Sequence, residues 1–399
     1  MARTRKALPA KVDLAPLISA GVLASVCPRS LIDEVLEQSG RRSQRNRLLP
    51  APAVVYCVMA LALWREAPTE EVLRVVCEGL GWLGGGQSSP LQASKSAISQ
   101  ARTRLGAEAM QAIAKRVLRP IAEPGAPGCW YGPRRVMALD GSSMDVADER
   151  ANAEFFGYPG ASRGDSAFPQ ARLLGLVECG THVVVAADIA PYARSEKAMA
   201  AEALPQWLTE DMLVLADRGL YSFKLWQMAC STSAALLWRV ASTLKLPVQR
   251  RLADGSYLSS VFDSEDRARQ NRREVRVIEY GLTDSAAPGP DSYRLITNLL
   301  DCEQAPGEPL AALYRERREI ECVFGELKTH LAGSSTVLRS KTPELVQQEL
   351  WGLLMAHFAI RQLMVQAAWP RSLDPHDVSF THAARVLKRR LPQAAAIPP

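Results

Sequence analysis

Tyr314-Arg315-Glu316-Arg317-Arg318-Glu319-Ile320-Glu321-Cys322-Val323-Phe324-Gly325-Glu326-Leu327-Lys328 decides how this chain is read. Four of its residues follow the spacing Tyr-x2-Arg-x3-Glu-x6-Lys: Tyr314, Arg317, Glu321 and Lys328. On a helix of about 3.6 residues per turn these offsets place a phenol, a guanidinium, a carboxylate and an ammonium along one face, over roughly four turns. A helix that only packs has no use for such a stripe. A site that holds a metal ion and grips phosphate does.

The 399 residues are enough for two or three domains, and 47% of them are hydrophobic, which describes a globular chain and not a disordered one. The net charge of +6, with a sequence pI near 8.9, permits a polyanionic partner without requiring one. Eight cysteines and five histidines are scattered, with no C-x-x-C pair, so neither a zinc site nor a disulfide framework is expected. Arg3, Arg5 and Lys6 are not followed by a clean apolar run, so no signal peptide is expected, and Ala51 to Trp64 is too short to span a bilayer.

Residues 1 to about 120 read as helical: Ser30 caps one short amphipathic helix, Pro52 opens an apolar one, and Pro68-Thr69-Glu70-Glu71 opens another. After a break at Gly84, Gly85 and Gly86, a helix from Ser94 carries Lys95, Arg102 and Arg104. These three form either a solvated basic face or a helix offered to DNA, as in helix-turn-helix modules. A Pro- and Gly-rich linker spans 121–133, and the pattern then turns to strands. Val136 to Asp140 and Met212 to Asp217 are apolar runs that end on an acid, and Leu173 to Val177 with Val183 to Ala187 reads as a hairpin. Residues 245–300 alternate as β structure and carry Lys245, Arg250, Arg251, Arg267, Arg269, Arg272, Arg273 and Arg276, read as a basic surface. Long helices are expected near 308–332 and 343–368, with a basic tail helix at Arg385 to Arg390.

Asp140 and Asp217 each stand after a buried strand and near a glycine, at a sheet rim where backbone can approach a ligand. Glu321 is the third acid. Three carboxylates in one cleft repel, at roughly 1–4 kcal/mol per pair about 4 Å apart. Divalent metal relieves this. Mg²⁺ favours hard oxygen ligands, and two ions about 3.5–4 Å apart can bind the attacking and leaving oxygens of an in-line displacement at phosphorus.

On these residues the chain resembles a DDE transposase of insertion-sequence family 4. The Tyr-Arg-Glu-Lys spacing carries most of the resemblance, joined by Leu139-Asp140-Gly141-Ser142, Ala216-Asp217-Arg218-Gly219, Thr297-Asn298-Leu299-Leu300-Asp301 and Leu338-Arg339-Ser340-Lys341-Thr342. It implies an α/β, RNase H-like mixed sheet flanked by helices. The implied layout is a helical DNA-end-binding domain (1–120), a catalytic core (134–244 and 301–335), a β-rich insertion (245–300) and a C-terminal helical region (336–399). It implies Asp140, Asp217 and Glu321 as ligands of two Mg²⁺ ions, with Mn²⁺ able to substitute, and Tyr314, Arg317 and Lys328 as phosphate contacts.

Relatives in that family pass through a DNA hairpin relieved by a flipped base on an aromatic ring. The corresponding position here is Tyr293, which reads either as that platform or as a sheet aromatic over the core. Arg218 reads as a partner of a carboxylate or of phosphate, with phosphate favoured. The expected partners are double-stranded DNA, as terminal inverted repeats and target, and a second copy of the chain in a synaptic dimer. No membrane is expected, and the expected location is the bacterial cytoplasm, at the nucleoid. The resemblance implies cut-and-paste transposition. A catalytically silent end-binding protein and a metal-dependent nuclease without strand transfer stay open.

Overall fold

The computed structural model describes residues 21–41, 49–79, 93–161, 164–263, 265–266, 268–281, 293–331 and 337–390. The expected glycine break at 84–86 lies outside them. Among the described residues six helices come first: α1 (Gly21–Val26), α2 (Arg29–Gln38), α3 (Ala51–Leu61), α4 (Thr69–Gly79), α5 (Lys95–Leu105) and α6 (Ala107–Val117). Helix α3 is apolar on every side and buried along nearly its whole length, so it must be wrapped by other helices. It starts where read, with Pro50 as N-cap and a proline in its first turn. Helix α2 is capped one residue pair earlier than read: Pro28, not Ser30, precedes it, with no side-chain cap.

Strands β1 (Trp130–Tyr131) and β2 (Arg134–Asp145) follow, then α7 (Arg150–Phe156), β3 (Gly160–Ala161), β4 (Gly164–Asp165), β5 (Gln170–Glu178) and β6 (Val184–Pro191). Next come α8 (Glu196–Trp207), β7 (Met212–Ala216), α9 (Phe223–Cys230) and β8 (Ala235–Val240). The β-rich stretch supplies β9 (Arg250–Arg251), β10 (Tyr257–Phe262), β11 (Arg272–Tyr280) and β12 (Tyr293–Thr297). The chain ends in α10 (Gly307–Tyr314), α11 (Arg318–Gly325), α12 (Pro343–Ala368) and α13 (Phe380–Arg390).

One ten-stranded sheet runs β6-β5-β2-β7-β8-β12-β11-β10-β9, with β1 on β2. Strands β2, β7 and β8 are parallel, β5 is antiparallel to β2, and β6 is antiparallel to β5, giving the expected mixed sheet. Strand β7 (Met-Leu-Val-Leu-Ala) is buried throughout, as a central parallel strand must be. The β-rich stretch is not a separate sheet. Strand β12 pairs with β8 and carries β11, β10 and β9 outward as an extension of the main sheet. Asn298 fixes this joint, accepting from Leu236 N (2.8 Å) and donating to Ala234 O (2.9 Å).

The first and last helices form one body. Helix α12 packs on α3 and α6, and a Cβ at Gly352 would lie 2.7 Å from Val58 O, so the crossing needs glycine. Arg102 corrects the sequence reading. Its guanidinium is buried and does not face solvent, donating to Leu345 O (2.8 Å), Ser340 Oγ (3.2 Å) and Gln348 Oε1 (3.4 Å). Lys95 and Arg104 remain exposed on the same helix, which Ser94 caps through Ala97 N. Arg276 is a second correction: it is fully buried, paired with Asp254 and hydrogen-bonded to Ser256 Oγ (2.8 Å), whereas Arg250, Arg251, Arg269, Arg272 and Arg273 are exposed.

If Arg102 is an internal tie, Arg102→Ala leaves Ser340 and the Leu345 carbonyl short of a donor. Urea denaturation should show a loss of about 1–3 kcal/mol, while the salt dependence of DNA binding stays unchanged. Unaltered stability together with weaker DNA binding would return Arg102 to the surface role.

Candidate active site

Strand register sets the site. Leu139 pairs with Ala216, where β7 stops, so Asp217 leaves the sheet at the level where β2 reaches Asp140. Asp140 is not at a strand end as read from sequence. It sits mid-strand, because β2 runs on to Asp145 alongside β5.

Asp140 Oδ1 accepts from Gly141 N (2.9 Å) and Oδ2 from Arg317 Nη1 (3.0 Å). Burial pushes the Asp140 carboxyl above its usual range, against the Gly141 and Arg317 contacts that favour the charge. The other guanidinium nitrogen, Arg317 Nη2, reaches Glu321 Oε1 at 3.0 Å. Arg317 thus bridges two of the three expected acids. Burial opposes its charge, yet Tyr314, Asp140, Asp217 and Glu321 together hold its pKa above the ordinary value.

Asp217 has separate partners: Tyr314 Oη at 3.4 Å and Arg239 Nη1 at 3.7 Å. Tyr314 is a correction to the phosphate-contact reading. Its ring is buried, its hydroxyl donates to Ala216 O (3.2 Å), and burial drives the phenol far above its usual pKa. It braces the end of β7 from inside. Lys328 is half-buried, and burial lowers its pKa while Asp145 raises it. Arg218 is exposed beside Asp217.

The carrier of the four-residue signature is not one continuous α-helix. Tyr314 ends α10, Arg317 closes a 3-10 turn (Arg315–Arg317), Glu321 lies in α11, and Lys328 lies in a π-helical turn (Glu326–Leu331). Tyr293 is already engaged: its ring stacks with Tyr280 (centroids 5.6 Å apart) and carries the Arg239 guanidinium 4.1 Å from its centroid. Trp238, read as core, is fully buried against Trp226.

Sequence reasoning missed Arg239 and Glu196. Arg239 ties Asp217 to Tyr293, and a lone charge in the otherwise apolar run Ala235–Val240 was the available signal. Glu196 lies in the first turn of α8, its carboxylate paired with Arg172 (2.9 Å), and a Cβ at Gly141 would fall 2.3 Å from Glu196 Cδ. A side chain at Gly141 would therefore push the Glu196 carboxylate out of its present position.

A second cluster lies behind α11. His182, Glu319 and His376 bring three potential ligand atoms within 4.8 Å of one another. Arg361 Nη2 lies 2.8 Å from His182 Nδ1. A guanidinium only donates, so Nδ1 accepts and the neutral ring carries its proton on Nε2, facing Glu319. A metal-bound histidine uses its second nitrogen as a donor, and here that nitrogen meets a donor. The cluster is wired as a brace. Glu319 accepts from Gly180 N (2.7 Å), and Glu326 takes Arg361 Nε (2.9 Å) and His357 Nε2 (3.0 Å), so α11 is clamped on both sides of Glu321.

A mixed sheet thus brings Asp140 and Asp217 to one level, and Arg317 joins Asp140 to Glu321 there. The family profile "Transposase DDE domain" matches residues 131–359, and "Insertion element 4 transposase N-terminal" matches 17–114. The chain belongs to the DDE transposase family, and is an enzyme of DNA cleavage and transfer that depends on a divalent metal. It is 27% identical over 367 residues to transposase InsG for insertion sequence element IS4 of Escherichia coli (strain K12), covering 90% of this chain and 80% of that one. It is 28% identical over 211 residues to the putative transposase InsZ of the same organism, covering 52% and 67%. The fold is similar to that of a piggyBac transposase synaptic complex with hairpin DNA, at 12% identity and a TM-score of 0.50, covering 95% of this chain and 80% of that one. Among the described residues no helix is long and apolar enough to cross a membrane.

Burial pushes the Glu326 carboxyl up, but Arg361 and the His357 hydrogen bond outweigh it and bring the pKa from 4.5 to about 2. A depressed pKa means that the ion pair stabilises the fold fully above pH 4.5 and loses that contribution as pH falls toward 2. Glu326→Gln strands Arg361 in the interior and should cost about 3–5 kcal/mol at pH 7. Its stability curve should also be flatter than wild type across that acid window, as followed by urea unfolding at stepped pH. A variant that acid-unfolds in parallel with wild type would show that Glu326 does not carry the effect.

Proposed function

We propose that Asp140, Asp217 and Glu321 hold two Mg²⁺ ions, with Mn²⁺ able to replace them, in a cut-and-paste transposase acting on its own element's ends. The observation that carries this reading is the Arg317 bridge. Two of the three acids share one guanidinium, so the seat between them is built for positive charge, and all its ligands are hard oxygens. When bound, such ions supply charge at the attacking and leaving oxygens of an in-line displacement at phosphorus.

The chain's own groups do the rest. Tyr314 and Arg239 fix Asp217, while Gly141 N fixes one oxygen of Asp140 and leaves the other for the seat. Glu321 is the most exposed of the three acids, its side chain 61% accessible, and stands at the mouth where a duplex would enter. Arg317, Lys328 and Arg218 are the phosphate contacts in this reading, Arg through a planar fork and Lys as a point charge. Tyr293 receives a base only after Arg239 moves off its ring.

The N-terminal helices bind the terminal inverted repeats in this proposal, with Lys95 and Arg104 on exposed positions of α5. The C-terminal helices contribute to a synaptic homodimer, and the work is done at the bacterial nucleoid.

Asp140→Ala, Asp217→Ala and Glu321→Ala should each reduce cleavage of end-bearing DNA in Mg²⁺ by about 10³-fold or more, since each removes metal-borne stabilisation worth several kcal/mol. Gel-shift affinity for the same DNA should hold. Strand cleavage at the wild-type rate by any of the three would remove that residue from the site. Binding should fall with salt at a log–log slope of about −0.9 per phosphate neutralised, and a flat response would argue against a duplex substrate.

A further inference from the structure

Arg317 is fully committed. Its Nη1 lies 3.0 Å from Asp140 Oδ2, its Nη2 lies 3.0 Å from Glu321 Oε1, and only 11% of its side chain is accessible. Glu321 stands four positions after Arg317, so a 3-10 turn and the first turn of α11 bring both to one spot. A planar guanidinium donating from two different nitrogens to two different carboxylates is a wedge between them. Its charge stands where a cation shared by Asp140 and Glu321 would stand, and both cannot occupy that seat.

Asp217 does not depend on the wedge. It is held by Tyr314 and by Arg239, so removing Arg317 leaves the third acid in place. Once displaced, Arg317 needs another anion, because a side chain this buried keeps little contact with water. A phosphate at the mouth beside Glu321 is an anion of the right shape.

We propose that Arg317 is a resident counter-ion that makes metal loading conditional on DNA: it closes the Asp140–Glu321 seat in the free protein and yields it when a DNA phosphate takes the guanidinium. This rests on the reading that those two acids are metal ligands. Metal and DNA then bind cooperatively, and by linkage each raises the affinity for the other by the same factor.

The test is calorimetric titration of Mn²⁺ into the full-length protein, alone and with a pre-cut terminal duplex whose 3′ end is dideoxy and cannot be joined. Without DNA, Arg317→Gln should bind Mn²⁺ about ten-fold or more tighter than wild type, within the usual range of coupling. Adding the duplex should tighten Mn²⁺ binding to wild type and leave the variant nearly unchanged. Arg317→Lys, which keeps a charge but cannot bridge two carboxylates, should fall between them, and it decides the matter if the glutamine variant does not fold. Equal or weaker Mn²⁺ binding by the variants, or equal tightening by DNA in all proteins, overturns the proposal while the metal assignment stands. Mn²⁺ binding that is unaffected by Asp140→Asn and Glu321→Gln overturns the metal assignment itself.

Discussion

Leu139 and Ala216 are neighbours in the parallel ladder of β2 and β7, and the geometry of the site descends from that pairing. β7 ends there, so one acid steps off the sheet while the other continues along β2 at the same level. A one-residue slip would turn Asp140 to the opposite face and leave Asp217 without a counterpart. The register is held from the far side as well, where Asp140 pairs with Gly175 on β5. A Cβ at Gly175 would come within 3.5 Å of Phe324, so α11 lies close over the sheet at this row and delivers Glu321 to the rim.

Charge balance is the second constraint, and it explains why arginines outnumber lysines around the acids. Asp140 is largely buried, and its carboxyl is pushed toward the neutral form. Arg317 answers Asp140 and Glu321, Arg239 answers Asp217, and Arg172 answers Glu196. Each guanidinium is also fixed by something other than an acid, or shared between two acids. Arg239 lies over Tyr293, and Arg172 donates twice to Tyr192 O. The negative charges are therefore spaced by positive ones, and among the described residues Arg317 is hydrogen-bonded to Asp140 and Glu321.

Much of this was legible in residue order. The apolar run into Asp217, the β5–β6 hairpin, the helix that starts at Ser94 and the placement of Glu321 near a helix face follow from local pattern. What escaped has one physical source: partners far away along the chain. Arg102 looks like a surface residue of a basic helix until Leu345 and Ser340 arrive from the other end of the sequence. Arg276 looks like part of an arginine-rich face until Asp254 and the Ala305 carbonyl enclose it. The Asp140 position misleads for the same reason. β2 outlasts β7 because β5 supplies a partner beyond it, and no local signal marks where a neighbouring strand will stop.

The broken signature helix follows from pinning at both ends. Tyr314 is held to Ala216 O and Glu326 to Arg361 and His357, and the path between those anchors does not suit an uninterrupted α-helix. An α-helix turns about 100° per residue and a 3-10 helix about 120°, so three residues of 3-10 geometry add roughly 60° of rotation. In a regular helix Tyr314 and Glu321, seven residues apart, would point within about 20° of each other. With the tighter turn between them the offset becomes about 40° to the other side, a modest change. Tyr314 goes inward to support the strand end, and Glu321 stays at the solvent edge. Arg317 closes that tight turn, and its guanidinium meets Asp140 from the sheet and Glu321 from the following helix at equal distance. The stripe that spacing alone draws as one face is in fact a buried brace, a bridging cation and an exposed acid, told apart by their burial and their partners.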